Sequence, residues 1–368
     1  MVSFTPTDEQ QQLIDTIKRF AKNDIQPMAH EADENERIPA AIIKTGWDMG
    51  LVQTAIPEAF GGLGEMSAVT GVLAAEAFAY GDLAAAIQIM TPALFATPII
   101  LYGTAEQRDQ FLPLFLEDQV PHVSAALLEA GVFFDAHALK TTATVEGNKI
   151  TLNGEKAYVP LGATADWLLV YARDSATHQT DAYLVEAANP GVTVGKREPL
   201  MGVRALPTYR VSFANAEIDL SARLGGAVGG FAYNFDMLIQ RSQIALAAMA
   251  VAVADAAAEY ARNYAKQRVQ FGVPIAQKQA IAFMLAEMAI EVDASRLLVW
   301  EAAWKLDAGQ DASKEAYLAK QYADKAAMFV TDSAVQTLGG YGFIREYPAE
   351  RWLRNARGFT TFHGLAMV

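Results

Sequence analysis

The stretch TTATVEGNKITLNGEKAYV, residues 141–159, alternates apolar and polar side chains. That is the period-two pattern of strands with one buried face. Asn153-Gly154 inside it reads as a hairpin turn. Further strands are expected at 167–171, 182–185 and 209–213. Working outward, the period changes on both sides. Upstream, Thr7-Asp8-Glu9 supplies a helix cap, and Leu13, Ile14, Ile17 and Phe20 fall on one helical face. Glycine and proline at 46–51, 57–64 and 103–104 punctuate further helices. Downstream, three long proline-free, alanine-rich helices are predicted over about 231–268, 280–306 and 312–338. The expected fold is α+β and mostly α. It has an N-terminal helical domain (1–121), a small antiparallel middle β domain (122–222) and a C-terminal four-helix bundle (223–368).

Composition narrows the function. A net charge of −13 argues against a nucleic-acid partner, because phosphate binding needs a basic face. With no cysteine there is no disulfide, thiolate nucleophile or iron–sulfur ligand. The five histidines (His30, His122, His137, His178 and His363) are scattered, so no metal site is expected. No apolar run reaches the length of a membrane span, and the N-terminus lacks a basic-then-apolar signal pattern. These features predict a cytoplasmic protein. LGGAVGGF (224–231) lacks the strand–turn–helix setting of a dinucleotide loop and reads as the entry to the bundle. Arg345, Arg351, Arg354 and Arg357 recur near helical spacing and are expected on a solvated or subunit-facing surface.

Local motifs carry a resemblance. AIPEAFGGLG (55–64), YGTAEQRDQFLP (102–113), NGEKAYV (153–159), GVR (202–204), RVQFGVPIAQKQ (268–279) and QTLGGYGFIREYPAER (336–351) occur in one order along the chain. Together they make the chain similar to the acyl-CoA dehydrogenase family over nearly its whole length. The resemblance implies a tetrameric flavoprotein that oxidises acyl-CoA thioesters at Cα–Cβ. A carboxylate takes the α-proton and a flavin takes the β-hydride, since side chains cannot accept hydride. It also implies that each FAD is held between two subunits, with electron-transfer flavoprotein as the acceptor.

The two halves of that cofactor site read differently here. The half donated to a neighbour is present: Arg268 matches the residue that meets the pyrophosphate, and Phe271 and Gln279 match residues lining the cofactor. Gln336, Gly339 and Gly340 match the segment whose main chain approaches the phosphates. The half for the chain's own flavin is altered. Leu128 stands where the family has a hydroxyl, Phe133 and Phe134 replace Gly-Ser, and Pro160 lacks an N–H. The usual catalytic glutamate positions hold His363 and Gln240, and Leu238 replaces an aspartate that helps hold CoA. Asp236 faces about 200° away on a helix. Arg241 is a candidate substrate contact.

The expectation is therefore a subunit inert alone, completing the FAD site of a catalytic, acyl-CoA dehydrogenase-like partner in a heterotetramer, with acyl-CoA bound at the partner's site. Two alternatives remain open. One is an active homo-oligomeric flavoenzyme, with His363 as the base or with base-independent decarboxylase or desulfinase-type chemistry. The other is a flavin-free acyl-CoA-binding scaffold.

Overall fold

The computed structural model describes residues 5–226, 231 and 234–368, so half of LGGAVGGF (227–230) lies outside the described residues. Helix α1 (Asp8–Phe20) starts on the expected cap, with Thr7 and Gln10 bonding each other's main chain reciprocally. Ile14, Ile17 and Phe20 turn inward. α2 (Gln26–Asn35), α3 (Ala40–Trp47) and α4 (Leu51–Ala55) follow. α5 (Ala68–Gly81), α6 (Leu83–Met90), α7 (Ala93–Tyr102) and α8 (Ala105–Phe111) then complete the first helical layer. A second capping box, Thr104 with Gln107, opens α8. The same Gln107 donates to Ser221 O and Arg223 O at 2.8 Å, which ties α8 to the exit of the sheet.

The middle block is a seven-stranded sheet of β1 (Val123–Ala126), β2 (Thr142–Glu146), β3 (Lys149–Pro160), β4 (Trp167–Asp174), β5 (Thr180–Glu186), β6 (Val192–Arg197) and β7 (Thr208–Asp219). It is mixed, not wholly antiparallel: β1 and β2 both run parallel to β4. They lie end to end along one edge of β4, and residues 127–141 make an excursion between them. Hairpin spacing cannot reveal such a pairing. The expected turn at Asn153-Gly154 is also corrected. The turn is at Gly147-Asn148, where Glu146 pairs with Lys149. Gly154 lies within β3 at a register shift, where an added Cβ would come 2.6 Å from Thr141 Cα.

The chain re-enters helix at α9 (Phe235–Gln267), followed by the small hairpin β8 (Val269–Gln270) and β9 (Val273–Pro274). α10 (Gln279–Asp307), α11 (Ser313–Leu338), α12 (Gly340–Phe343) and α13 (Ala349–Gly358) close the chain. The centre of α9 is lined by alanine, with Ala245, Ala247, Ala248, Ala250 and Ala252 inaccessible to solvent. Small side chains let helices approach closely, and α5, α10, α11 and α13 all pack on α9.

Contrary to the sequence expectation, Leu83–Tyr102 and Phe235–Gln267 are long and apolar enough to span a membrane by composition. Their apolar windows are 89% and 78% buried, so that surface covers the protein's own core. The arginine expectation holds for Arg345 and Arg357, which are exposed, and is corrected for Arg351 and Arg354. Arg351 is only 6% exposed and faces Asp82 at 3.8 Å, while Arg354 donates to Asp33 on α2 and to Glu350 on its own helix, so Arg354 staples α13 to α2.

One buried ion pair holds the excursion at 127–141. Lys156 is fully buried in β3 and donates to Glu129 Oε1 at 2.8 Å and to Leu127 O at 3.0 Å. Glu129 also accepts from the main-chain N–H groups of Lys140 and Thr141. Burial pushes the Lys156 ammonium down to about 8, and Glu129 limits the fall. Replacing one partner strands the other, which typically costs about 3–5 kcal/mol. Lys156→Met should therefore lower unfolding free energy by about that much in urea denaturation, and Lys156→Met/Glu129→Leu should recover part of the loss.

Candidate functional site

Two places on α9 correspond to the two halves read from sequence. The first is a cavity of about 290 Å³ where the 127–141 excursion meets α9, α11 and the segment after α13. Leu127, Phe134, Ile239, Ser242, Gln243 and His363 are among its walls. The Phe134 ring stands against the His363 imidazole, centroids 5.2 Å apart. Phe133 behaves otherwise. It is 93% exposed, so of the two rings expected to fill ligand space only Phe134 turns inward. Leu128 is buried, its carbonyl accepting from Ala157 N at 2.8 Å. Pro160 O accepts from Ser124 Oγ at 2.5 Å. Leu128 is not among the pocket's walls, and the hydrocarbon that the excursion gives the lining comes from Leu127, Phe134 and Ala136.

His363 is the titratable group in question. Burial, with a smaller push from the Lys320 cation, lowers its pKa to about 4. At neutral pH it is an uncharged imidazole, and such a low pKa makes it a weak proton acceptor. Among the described residues no carboxylate forms an ion pair with it. Lys320 is engaged by Asp324 at 2.5 Å and by Phe359 O at 2.7 Å. Sequence reading missed this Lys320–Asp324 pair. Its signal was two opposite charges at i and i+4 within an otherwise alanine-rich helix.

Gln240 does not join His363. It is 6% exposed, and its Nε2 donates to Ser313 Oγ at 2.8 Å at the start of α11. Arg241 is buried beside it, with Nη1 donating to Val368 O at 2.8 Å. Leu238 lies in the apolar cluster between helices and sheet. Asp236 is on the surface, 3.3 Å from His137 Nε2. His122 faces Asp166 at 3.6 Å in a similar exposed pair. Among the described residues no group of three or more His, Cys, Asp or Glu side chains could hold a metal ion.

The second place is the far end of α9. Arg268 caps that helix, and its guanidinium sits 5.2 Å over the Tyr341 ring. The β8–β9 turn is Phe271-Gly272, both with positive φ, and Phe271 stands out 90% exposed. Gln279 opens α10 and Gln336 nears the end of α11, both exposed. Gly339 has φ +61° and ψ −131°, a conformation suited to glycine, and nothing lies within 4 Å of a Cβ added to Gly339 or Gly340. Main chain and guanidinium are thus open to an anionic ligand. Arg268 lies roughly 22 residues beyond Leu246, about 33 Å along the helix. One small ligand cannot touch both places in one subunit.

Fit to a flavin differs at the two ends. The Arg268–Gly340 end suits a pyrophosphate. The His363 pocket does not suit an isoalloxazine, because the Phe134 ring occupies its wall against His363 and Leu127 beside it offers no side-chain donor.

Comparison with known proteins covers the whole chain. Family models described as the N-terminal, middle and C-terminal domains of acyl-CoA dehydrogenase match residues 7–119, 124–216 and 229–366. An acyl-CoA dehydrogenase of Bacillus subtilis is 36% identical, over 97% of this chain and 95% of its own. A 3-(aryl)acrylate reductase of Clostridium sporogenes is 35% identical, over 98% and 96%. Butyryl-CoA dehydrogenase from Megasphaera elsdenii superimposes with a TM-score of 0.90 at 32% identity, covering 98% of this chain and 96% of its own. A chain from a study of the electron transferring flavoprotein of Acidaminococcus fermentans gives 0.89 at 33%, over 98% and 95%.

The His363 environment makes a direct prediction. Its folded pKa lies below the unfolded value, so the unfolded chain binds the extra proton first as pH falls. Stability should therefore drop between about pH 6.5 and pH 4. His363→Gln should flatten that part of the stability–pH curve measured by urea denaturation, and the His363 NMR titration midpoint should lie near 4.

Proposed function

The chain belongs to the acyl-CoA dehydrogenase family, and on that premise we propose that it is the companion, non-catalytic subunit of a flavin-dependent acyl-CoA dehydrogenase. The observation that carries this reading is the opposite condition of the two ends of α9. At Arg268, cation, glycine main chain and an exposed aromatic side chain remain available for a neighbour's FAD. At His363 an imidazole stands where the family resemblance expects a carboxylate base, and the Phe134 ring packs against it.

In this proposal Arg268 meets the pyrophosphate of a partner's FAD with its forked donors. Gly339 and Gly340 let main-chain groups approach the same anion, and Phe271, Gln279 and Gln336 line it. When bound in the partner, FAD accepts the hydride; no step runs through the His363 pocket of this chain. Acyl-CoA binds at the partner's site, electron-transfer flavoprotein takes the electrons, and the complex is a cytoplasmic heterotetramer. The bundle supports association: Phe283, Ile290 and Leu297 repeat every seven residues along α10, and Leu318, Tyr322 and Phe329 accompany them on α11, all exposed. A contiguous apolar stripe of this kind marks an interaction face.

His363 as a catalytic base is disfavoured by its lowered pKa. Decarboxylase or desulfinase-type chemistry does without a base but still needs the flavin pocket that Phe134 obstructs. A flavin-free scaffold makes the opposite demand on Arg268, because its loss would then leave a partner's FAD untouched.

Co-expression with a related chain that keeps the catalytic glutamate tests the proposal. The complex should carry FAD, read as absorbance near 450 nm. Arg268→Ala should cut FAD affinity by about tenfold or more while the complex still assembles. Unchanged FAD content with Arg268→Ala, or absence of any complex, would sink the companion-subunit reading.

A further inference from the structure

Residues 364–368 carry a feature that the companion-subunit reading does not require. Gly364 turns the chain inward at φ +65°, and a Cβ there would lie 2.7 Å from Leu127 Cδ2. Its N–H donates to Ser242 Oγ at 3.2 Å. Leu365, Ala366, Met367 and Val368 are then all buried, at 3%, 0%, 4% and 9% exposure. Gly71 on α5 makes room for the last of them, since a Cβ there would come 2.5 Å from Val368 Cβ. Met367 packs into the cluster between helices and sheet, while Leu365, Ala366 and Val368 pack into the bundle.

Three cavities line up along this segment. The His363 pocket shares Leu127, Ile239, Ser242 and Gly364 with a residual void of about 10 Å³. That void shares Met367 with an apolar cavity of about 80 Å³ among Trp47, Leu51, Met66, Ile89 and Met90. Two walls hold a buried oxygen with no hydrogen-bond partner: Tyr171 Oη at the middle void and Gln53 Oε1 at the last. Buried polar atoms are normally satisfied, so each marks space not filled to suit its wall.

We propose that residues 364–368 are a built-in plug, which divides one continuous channel from the His363 pocket into the N-terminal helices and excludes an aliphatic ligand from it. The plug is an autoinhibitory contact made of this chain's own side chains. Met367 is the partition, because its side chain alone borders both inner voids. The inference adds to the companion-subunit reading a steric reason for inactivity, and it is tested without flavin or partner, so either can fail alone.

The test uses the full chain and 8-bromooctanoic acid, whose bromine quenches a nearby indole. Wild type should show no saturable quenching, and the Gly364 amide should exchange as slowly as those in the middle of α9. Met367→Ala joins the voids and should bind the probe at least about tenfold more tightly than wild type. That quenching should vanish in Met367→Ala/Trp47→Phe, because Trp47 lines the inner cavity. Met367→Val shortens the same partition less drastically and serves if the first variant does not fold. Equal quenching in wild type and variant, no quenching in a folded variant, or fast exchange at Gly364 would each overturn the plug.

Discussion

Helix α9 is the constraint on which the rest depends. It is 33 residues long, its centre is buried on nearly every side, and α5, α10, α11 and α13 pack on it. Alanine at its core positions permits that close approach, and the length follows because no proline or glycine interrupts residues 235–267. The consequence is geometric. The His363 pocket sits beside the first third of the helix and Arg268 ends it, so a rigid rod separates two sites that one ligand cannot bridge. Any cofactor touching both kinds of site must be shared between subunits.

The two sites then diverge for separate physical reasons. At the pocket, the Lys156–Glu129 pair and its main-chain hydrogen bonds keep the 127–141 excursion in place, so the scaffold survives. Of the side chains it contributes to the pocket, Leu127, Phe134 and Ala136 are hydrocarbon and offer a polar ligand no donor. Stability and ligand recognition reside on different atoms of the same loop, so one can change while the other is kept. At the Arg268 end, the positive-φ turn at Phe271-Gly272 closes the β8–β9 hairpin and Gly339 ends α11, and both leave main chain open at the surface. They fit a surface shaped to receive something.

The helical blocks were legible because their signals are local. Thr7 with Gln10 and Thr104 with Gln107 are caps within three residues, and the three long helices start and stop within a few residues of their predicted bounds. The sheet was legible as strands but not as topology: β1 and β2 pair with β4 across long separations, which alternation cannot encode. Gly154 misled because asparagine–glycine also suits a register shift beside a close backbone. Arg351 and Arg354 were misread as surface because their carboxylate partners, Asp82 and Asp33, lie more than 250 residues away. At the site, the substitutions at Leu128, Phe134, His363 and Gln240 were visible one by one. That Phe133 points outward while Phe134 meets His363 depends on a loop fold that no spacing predicts.

The central claim is that this chain keeps the donated half of a shared cofactor site and has lost its own. The most direct measurement is a visible absorption spectrum of the isolated chain after incubation with excess FAD and gel filtration. The account predicts a folded, colourless protein with no flavin retained. A yellow protein holding one FAD per chain would contradict it.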